Sequence, residues 1–526
     1  MADDFNPKSA GSDHQSMAGY WQMVDAILGG AAEMRRNASV YLPRFENETQ
    51  KDYANRVAHA PFTNVYGDIS RNLASKPFSK QLTVSEDAPD FIAGEVDAAS
   101  NARSGGFVDN VDGRGNNLHV FAQESFKAAI DYGLDWIMVD YPNVDGENGD
   151  EVEPRPTRSR AEEQALGLRP FWLRIPANKV LAAYTAFEDG KEILCHVRID
   201  ETRVERDGFG EKTVERVRVI ERVELPDDSY GPAKWQVWEK IAGEANGVAK
   251  WTVVEDGAYS IGVIPLVPIV LGKRVGSGFA IDPPLRDLAY MQVEEFQQES
   301  NLKETAKLTA FPMLVGEGVG DPGSDSNGQK IIIPVGPRAV LLAPPSQNGN
   351  GTFKFIEPSA TSLTFLQTKL EAHRKEMRDL GMQPLTEANL TVVTTANVSR
   401  KASSAVQAWA IMFQDALEQC FEITGMWLKD ETQTRVIIHT DFSIDMDDSG
   451  QPDTLLKAQG QGVLSKKTVQ MEFKRRGILS DEFDPETEEE QLAEEQQGLE
   501  PEEAIDPVTG EPVEPSTRPK VVATIN

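Results

Sequence analysis

The chain has 526 residues, 40% of them apolar and 26% charged, with a formal net charge of −31 and an isoelectric point near 4.7. That length exceeds one simple core and predicts roughly two to four lobes, while the apolar share excludes a chain disordered throughout. The acidity argues against a sequence-reading nucleic-acid binder, which needs a basic footprint; it leaves room for DNA passing nearby, because an acidic wall repels phosphate and lets a duplex slide. The two cysteines, Cys195 and Cys420, stand too far apart to suggest a disulfide framework or a metal knuckle, so the compartment is reducing or cysteine is simply unused. No apolar run approaches the roughly 18–20 residues of a membrane helix. The polar stretch Met1–Gly19 lacks a hydrophobic signal core. The expectation is a soluble intracellular protein with no membrane partner.

Residues 1–17, small and polar, are expected to be disordered. A helical apolar stripe follows over Gly19–Arg36 (Trp21, Val24, Ile27, Leu28, Met34), with Gly29-Gly30 able to split it. From Glu48 to Leu73 another helical pattern runs through Tyr53, Val57, Tyr66, Ile69 and Leu73, and Pro61 must kink or restart it. Asn117–Tyr132 reads as an amphipathic helix ending at Gly133, a suitable left-handed cap, before a short strand Trp136–Asp140. Asn143–Gly167 is a charged loop. From Arg169 to Leu271 the pattern turns to β, with strands at Leu194–Ile199, Val214–Leu225, Trp235–Trp238, Trp251–Val254 and Ile264–Leu271 separated by turn signals. Charges interspersed with Val and Ile over 215–222 predict an antiparallel meander with one wet face.

The middle of the chain carries a helix–excursion–helix unit. After Pro283-Pro284-Leu285, the run Arg286–Ala310 contains no Gly or Pro and would make a helix roughly 40 Å long. Its surface is mostly charged, including Glu294, Glu295, Glu299 and Lys303. A helix this polar buries little alone and needs long neighbours, such as copies of itself. Pro312–Pro358 is rich in Gly, Pro and β-branched residues, and a second breaker-free run, Thr361–Leu380, stops at Gly381. A third long helix is predicted over Val398–Leu428, apolar at Val406, Trp409, Met412, Phe413, Leu417, Phe421 and Trp427. A strand at Thr434–Phe442 and a small helical region at Asp453–Arg476 follow. The segment Asp481–Glu514 holds fifteen acidic residues and no basic one, and is expected to be disordered.

No constellation signals catalysis. The six histidines are scattered, without the spacing of a zinc hydrolase. Gly316, Gly318 and Gly320 precede Asp321-Pro322 where a dinucleotide fold would open a helix, and no phosphate-binding GxxxxGK[ST] occurs. Asp445–Gly450 begins like a calcium loop but has Leu456 where the bidentate Glu belongs. Arg400-Lys401, preceded by Thr391, Thr394, Thr395 and Asn397, leaves two readings open. One is a helix N-terminus capped by Asn397 or Ser399. The other is a loop presenting hydroxyls and slight positive charge to a polyanion.

The order of several segments resembles a branch of the tailed-bacteriophage portal proteins. They are Tyr41-Leu42-Pro43-Arg44-Phe45 with Tyr53, Leu118–Gly133 leading to Val139-Asp140-Tyr141-Pro142, Arg169-Pro170-Phe171, Ile264–Pro268, Pro284–Ala289, Thr395-Ala396, Thr440-Asp441-Phe442 and Gly462–Ser465. The likeness spans about Glu33 to Gln491 and rests on the ordered set. It implies an α+β subunit of a ring, usually of twelve, at one capsid vertex, assembled in the host cytoplasm and retained in the virion. After a disordered arm (1–17), the implied parts are a wing (18–282, helices then meander), stem helices (283–310 and 360–381) bracketing a small α/β clip (311–359), and a tunnel loop (382–397). The wing's long helix and strand (398–442), a helical crown (443–480) and the acidic disordered tail (481–526) complete it.

The resemblance further implies a tunnel-loop DNA surface at Thr391, Thr394, Thr395, Asn397, Arg400 and Lys401. A terminase- or adaptor-facing clip would include Gly318, Asp321, Asp325, Asn327 and Asn348, and stem contacts would include Glu294, Glu295, Glu299, Lys303, Lys375 and Arg378. Implied partners are the chain itself, double-stranded DNA held non-specifically, the terminase large subunit, major capsid and scaffolding proteins, and neck proteins; no enzyme activity, cofactor or metal is implied. Twelve copies at −31 each would carry about −370 charges, which keeps a bore slippery for DNA. A phage-encoded hydrolase or nuclease would need carboxylates clustered at metal spacing in a folded segment, and the densest acidic run lies in the tail instead. A non-ring head scaffold or adaptor would not need the long exposed helices.

Overall fold

The computed structural model describes residues 6–96, 103–142, 167–227, 229–241, 249–309, 313–317, 352–356, 361–381, 392–430, 433–440, 442 and 451–475, with isolated positions up to 488. Contacts divide the chain into Met1–Ser443 and Ile444–Asn526.

The larger unit begins earlier than the sequence suggests. Helix α1 spans Ser12–Leu28, and residues 6–11 lead into it as ordered chain, so the expectation of a disordered 1–17 fails for all its described residues. The reason is long-range pairing that composition hides. Gly11 N donates to Leu181 O (2.8 Å), Asp13 accepts from Phe279 N (2.8 Å), Lys8 reaches Thr202 and Glu215, and Met17 is buried. At Gly29 α1 ends and a short helix Gly30–Arg36 begins, so the glycine pair does split the stripe. The next pattern breaks into Gln50–His59 and α2 (Val65–Ser75), with Ala60-Pro61 between them. Helix α3 (Leu118–Tyr132) starts on Asn117, whose side chain accepts from Val120 N (3.0 Å), and ends on Gly133. Gly133 has φ +79, and a Cβ there would sit 3.0 Å from Pro283 Cα, so both conformation and space require glycine.

β1 (Leu134–Asp140) is the buried middle strand of a three-stranded antiparallel sheet, flanked by β2 (Phe171–Ile175) and Leu266–Val270. Buried on both faces, it reads as an apolar run rather than an alternation. Its one internal charge, Asp135, is held by Arg174 Nε at 2.5 Å, and burial pushes its carboxyl up to about 7. The predicted meander is a five-stranded antiparallel sheet with neighbours in chain order: β3 (Val180–Glu188), β4 (Lys191–Asp200), β5 (Arg216–Glu221), β6 (Lys234–Ile241) and β7 (Lys250–Ala258). A separate hairpin, Arg203–Asp207 with Gly210–Val214, interrupts it between β4 and β5.

Then come α4 (Arg286–Thr309), β8 (Met313–Glu317), β9 (Thr352–Ile356), α5 (Thr361–Leu380) and α6 (Val392–Leu428). The core gathers α1–α3, the three-stranded sheet, the start of α4 and the later turns of α6. Aromatic edges lock α6 in place: Phe413 meets Phe126 at 5.2 Å and Phe421 meets Trp172 at 4.8 Å. The buried Trp172 donates Nε1 to Thr424 Oγ1 (2.9 Å), and the half-buried Trp427 donates Nε1 to Val139 O (2.9 Å). The strand expected at 434–442 is shorter: among the described residues of that stretch only Val436–Ile437 pairs, with Thr83–Val84.

In the second unit, helices Gln451–Gly460 and Lys466–Arg475 pack together, the latter capped by Ser465 Oγ accepting from Thr468 N (3.1 Å). Most of the acidic stretch after 480 lies outside the described residues.

Candidate functional site

Helices α4 and α5 pack on one another, and the strands between them pair antiparallel from Met313↔Ile356 to Glu317↔Thr352. The excursion is therefore closed at its neck. At 1.5 Å per residue α4 is roughly 36 Å long and α5 roughly 30 Å. The buried stripe of α4 is Leu288, Ala289, Gln292, Glu295, Phe296 and Ser300, continuing from Leu285 just before it, at helical spacing although three of the seven are polar. The expectation that this helix buries little within its own chain is corrected by that stripe. Two of its polar members, Gln292 and Glu295, are satisfied inside the subunit instead, while Ser300 Oγ has no hydrogen-bond partner among the described residues.

Gln292 is fully buried; its Oε1 accepts from Tyr66 N (2.9 Å), and its Nε2 donates to Thr63 O (2.9 Å) and Glu295 Oε2 (3.0 Å). Glu295, also fully buried, takes both Arg374 Nε (2.8 Å) and Nη2 (2.5 Å) on Oε1. The same Nη2 lies 2.9 Å from Glu299 Oε1 and donates to Thr63 Oγ1 (3.0 Å). One guanidinium on α5 thus clamps two carboxylates on α4 and the loop ahead of α2. A buried carboxylate is costly unless paired. Burial first, then repulsion from Glu299, raises the Glu295 carboxyl to about 7 against the pull of Arg374.

Further ties fix the same end of the pair. His373 Nε2 meets Met291 O (2.9 Å), Lys303 Nζ donates to His59 O (2.6 Å), Gln297 Nε2 to Tyr41 O (2.9 Å), and Arg378 sits 3.4 Å from Asp68. Gly381, just past α5, lies so close to α2 that a Cβ would come within 2.5 Å of Ile69 Cγ2. Toward the excursion Phe365 on α5 is 67% exposed.

Of the six stem residues proposed from the sequence, Glu295, Glu299, Lys303 and Arg378 take these partners within the chain, while Glu294 and Lys375 are exposed. Sequence reasoning missed Arg374, Gln292 and Thr63. The signal for Arg374 was its place in the stripe Leu370, Arg374, Met377, Gly381. The clip residues Gly318, Asp321, Asp325, Asn327 and Asn348, and Thr391 of the tunnel set, lie outside the described residues.

The remaining tunnel residues need a correction. α6 begins at Val392, six residues before the predicted start, so Thr394, Thr395 and Asn397 are helical rather than loop, while Arg400 and Lys401 lie in the helix that was already predicted to start at Val398. Neither Asn397 nor Ser399 is its cap. The run from Val392 contains no Gly or Pro, and continuity with the strongly apolar part of α6 outweighs the weak helix preference of its Val and Thr residues. Thr394, Asn397 and Lys401 stand three and four residues apart along it.

A family described as a domain of unknown function (DUF4055) matches residues 284–428, which run from the proline before α4 to the last residue of α6. No curated protein matches the chain. Among solved structures, a chain from the neck of a native GTA particle, computed with C12 symmetry, aligns at 12% identity and a TM-score of 0.37, over 84% of this chain and 98% of its own.

Proposed function

We propose that the chain is one subunit of a ring-shaped channel, the portal of a tailed double-stranded DNA phage, set at one capsid vertex. Terminase would drive DNA inward through it, and the same bore would later release the genome toward the neck and tail proteins. The observation that carries this reading is the α4–α5 pair. It is clamped at one end through Arg374, bears the strand-closed excursion at the other, and turns polar faces outward. A helix pair built so is a rigid strut that holds a recognition segment away from the body, and partner recognition commonly sits on such segments. Its exposed Phe365 and Tyr290 call for neighbours, which a ring of copies supplies.

The net charge of −31 suits a wall that DNA must slide along. Contact with the phosphate backbone falls, in this reading, to the start of α6, where Arg400 and Lys401 add a weak, salt-sensitive attraction without reading bases. Light scattering on the purified protein tests the assembly. A species near a dozen subunits is expected, with a stability that depends on ionic strength because charged contacts are screened. A chain that stays monomeric under every salt and scaffold condition contradicts the reading.

A further inference from the structure

The hairpin that interrupts the meander is built for a partner. Its two strands, Arg203–Asp207 and Gly210–Val214, pair only with each other among the described residues, and a lone two-stranded hairpin is marginal in water. At its tip Gly208, with φ +62, makes the turn and leaves Phe209 fully exposed; Val204 below it is 61% exposed. Apolar side chains held out this far mark contact surfaces.

A receptor for such a tip lies at the opposite end of the same sheet. A groove of about 510 Å³ runs between α6 and the sheet edges, lined by the α6 face Met412, Asp415, Gln419, Glu422 and Met426 at three- and four-residue spacing. Thr185 of β3, Leu194 of β4 and Arg222 beyond β5 close it on the sheet side. Leu194 and Asp200, where the hairpin takes root, are six residues apart on β4, roughly 20 Å. Met412 is 51% exposed and Met426 39%, a flexible apolar lining that adapts to an inserted ring.

The charges left over at the two ends are complementary. In the groove Arg222 is already paired with Glu188 and Arg274 with Glu192, whereas Asp415 and Glu422 have no ion-pair partner among the described residues. At the hairpin end Arg206, among the described residues, bonds only the Gly208 carbonyl. Lys212 likewise has no ion pair among the described residues, so within the hairpin Arg206 and Lys212 balance the unpaired Asp207 and Glu211, and the excess cation at this end of the sheet is Lys250, the first residue of β7, which has no ion pair among the described residues either.

Resting on the ring reading above, we propose that the Arg203–Val214 hairpin of one copy inserts Phe209 into the α6 groove of a second copy. Tip and receptor occupy different ends of one sheet, so each copy that engages leaves its own groove free for the next. That is a head-to-tail contact, the kind that closes into rings.

The test uses the full-length chain and mass measurement over a concentration series. Phe209→Asp and Met412→Asp both change exposed positions, and circular dichroism checks that each variant is folded. Wild type should assemble beyond the dimer, and either variant alone should need about tenfold more protein to do so. Mixed together they should form one-to-one pairs and stop there, because one variant keeps its groove and the other its tip. Wild-type-like assembly by Phe209→Asp, or a mixture without pairs, overturns this contact while leaving the ring intact. A wild-type chain that stays monomeric overturns the ring reading and the contact with it.

Discussion

Replacing Arg374 with Ala removes both charged donors from Glu295 and leaves it one amide donor, Gln292, beside the anionic Glu299. The folded carboxyl titrates near 7, raised from 4.5 by burial, so it takes up a proton on folding between those values. Its contribution to stability is therefore complete below 4.5 and declines as pH rises through 7. At about pH 8 the wild-type carboxyl is one unit past its midpoint and recovers about 1.4 kcal/mol by ionising against Arg374. Without that cation the carboxyl stays protonated and the recovery is forfeited.

At about pH 5.5 both proteins carry Glu295 neutral and differ by the hydrogen bonds and the Glu299 ion pair lost with Arg374, about 1–2 kcal/mol in sum. The deficit should then grow from about 1–2 kcal/mol at the lower pH to roughly 2.5–3.5 kcal/mol at the higher. Hydrogen exchange at the amides of α4 and α5 reads this as a local opening free energy, without requiring a chain of this size to unfold in one step. Glu295→Gln in the same background should abolish the pH dependence. An equal deficit at both pH values, or a double variant that keeps the slope, refutes the argument.

Thr424→Val keeps the shape but strands the buried Trp172 N–H, and should lower thermal stability by about 1–3 kcal/mol while Thr424→Ser does not. Gly381→Ala drives a methyl against Ile69 and should cost about 1–3 kcal/mol, read as faster exchange where α5 meets α2. Arg400→Ala with Lys401→Ala should leave assembly and procapsid formation unchanged and alter packaging rate or DNA retention; failure to assemble would make the pair a structural part of α6.

Much of the framework was legible because breakers and caps act locally. Pro284 and Gly381 bracket the helix–excursion–helix unit, Asn117 and Gly133 bracket α3, and turn signals place the meander in chain order. What stayed hidden depends on pairing across the chain. Periodicity assigns Glu295 to the wet face because it cannot see Arg374, 79 residues away, or Thr63, whose carbonyl holds Gln292. The arm at 6–17 looked disordered because small polar residues carry no apolar signal, yet Gly11 and Asp13 bond to Leu181 and Phe279. The start of α6 was set too late because its Val and Thr residues resemble a loop or strand until the apolar helix behind them is counted. The groove receiving Phe209 in our proposal joins α6 to strands some two hundred residues earlier, a juxtaposition only the fold creates.

The most direct test of the central claim is a negative-stain image of the purified, assembled protein. The account predicts closed rings of about twelve subunits with an open axial channel, the number being that of the resembling portal proteins. A field of single compact particles, unchanged by concentration or salt, would contradict it.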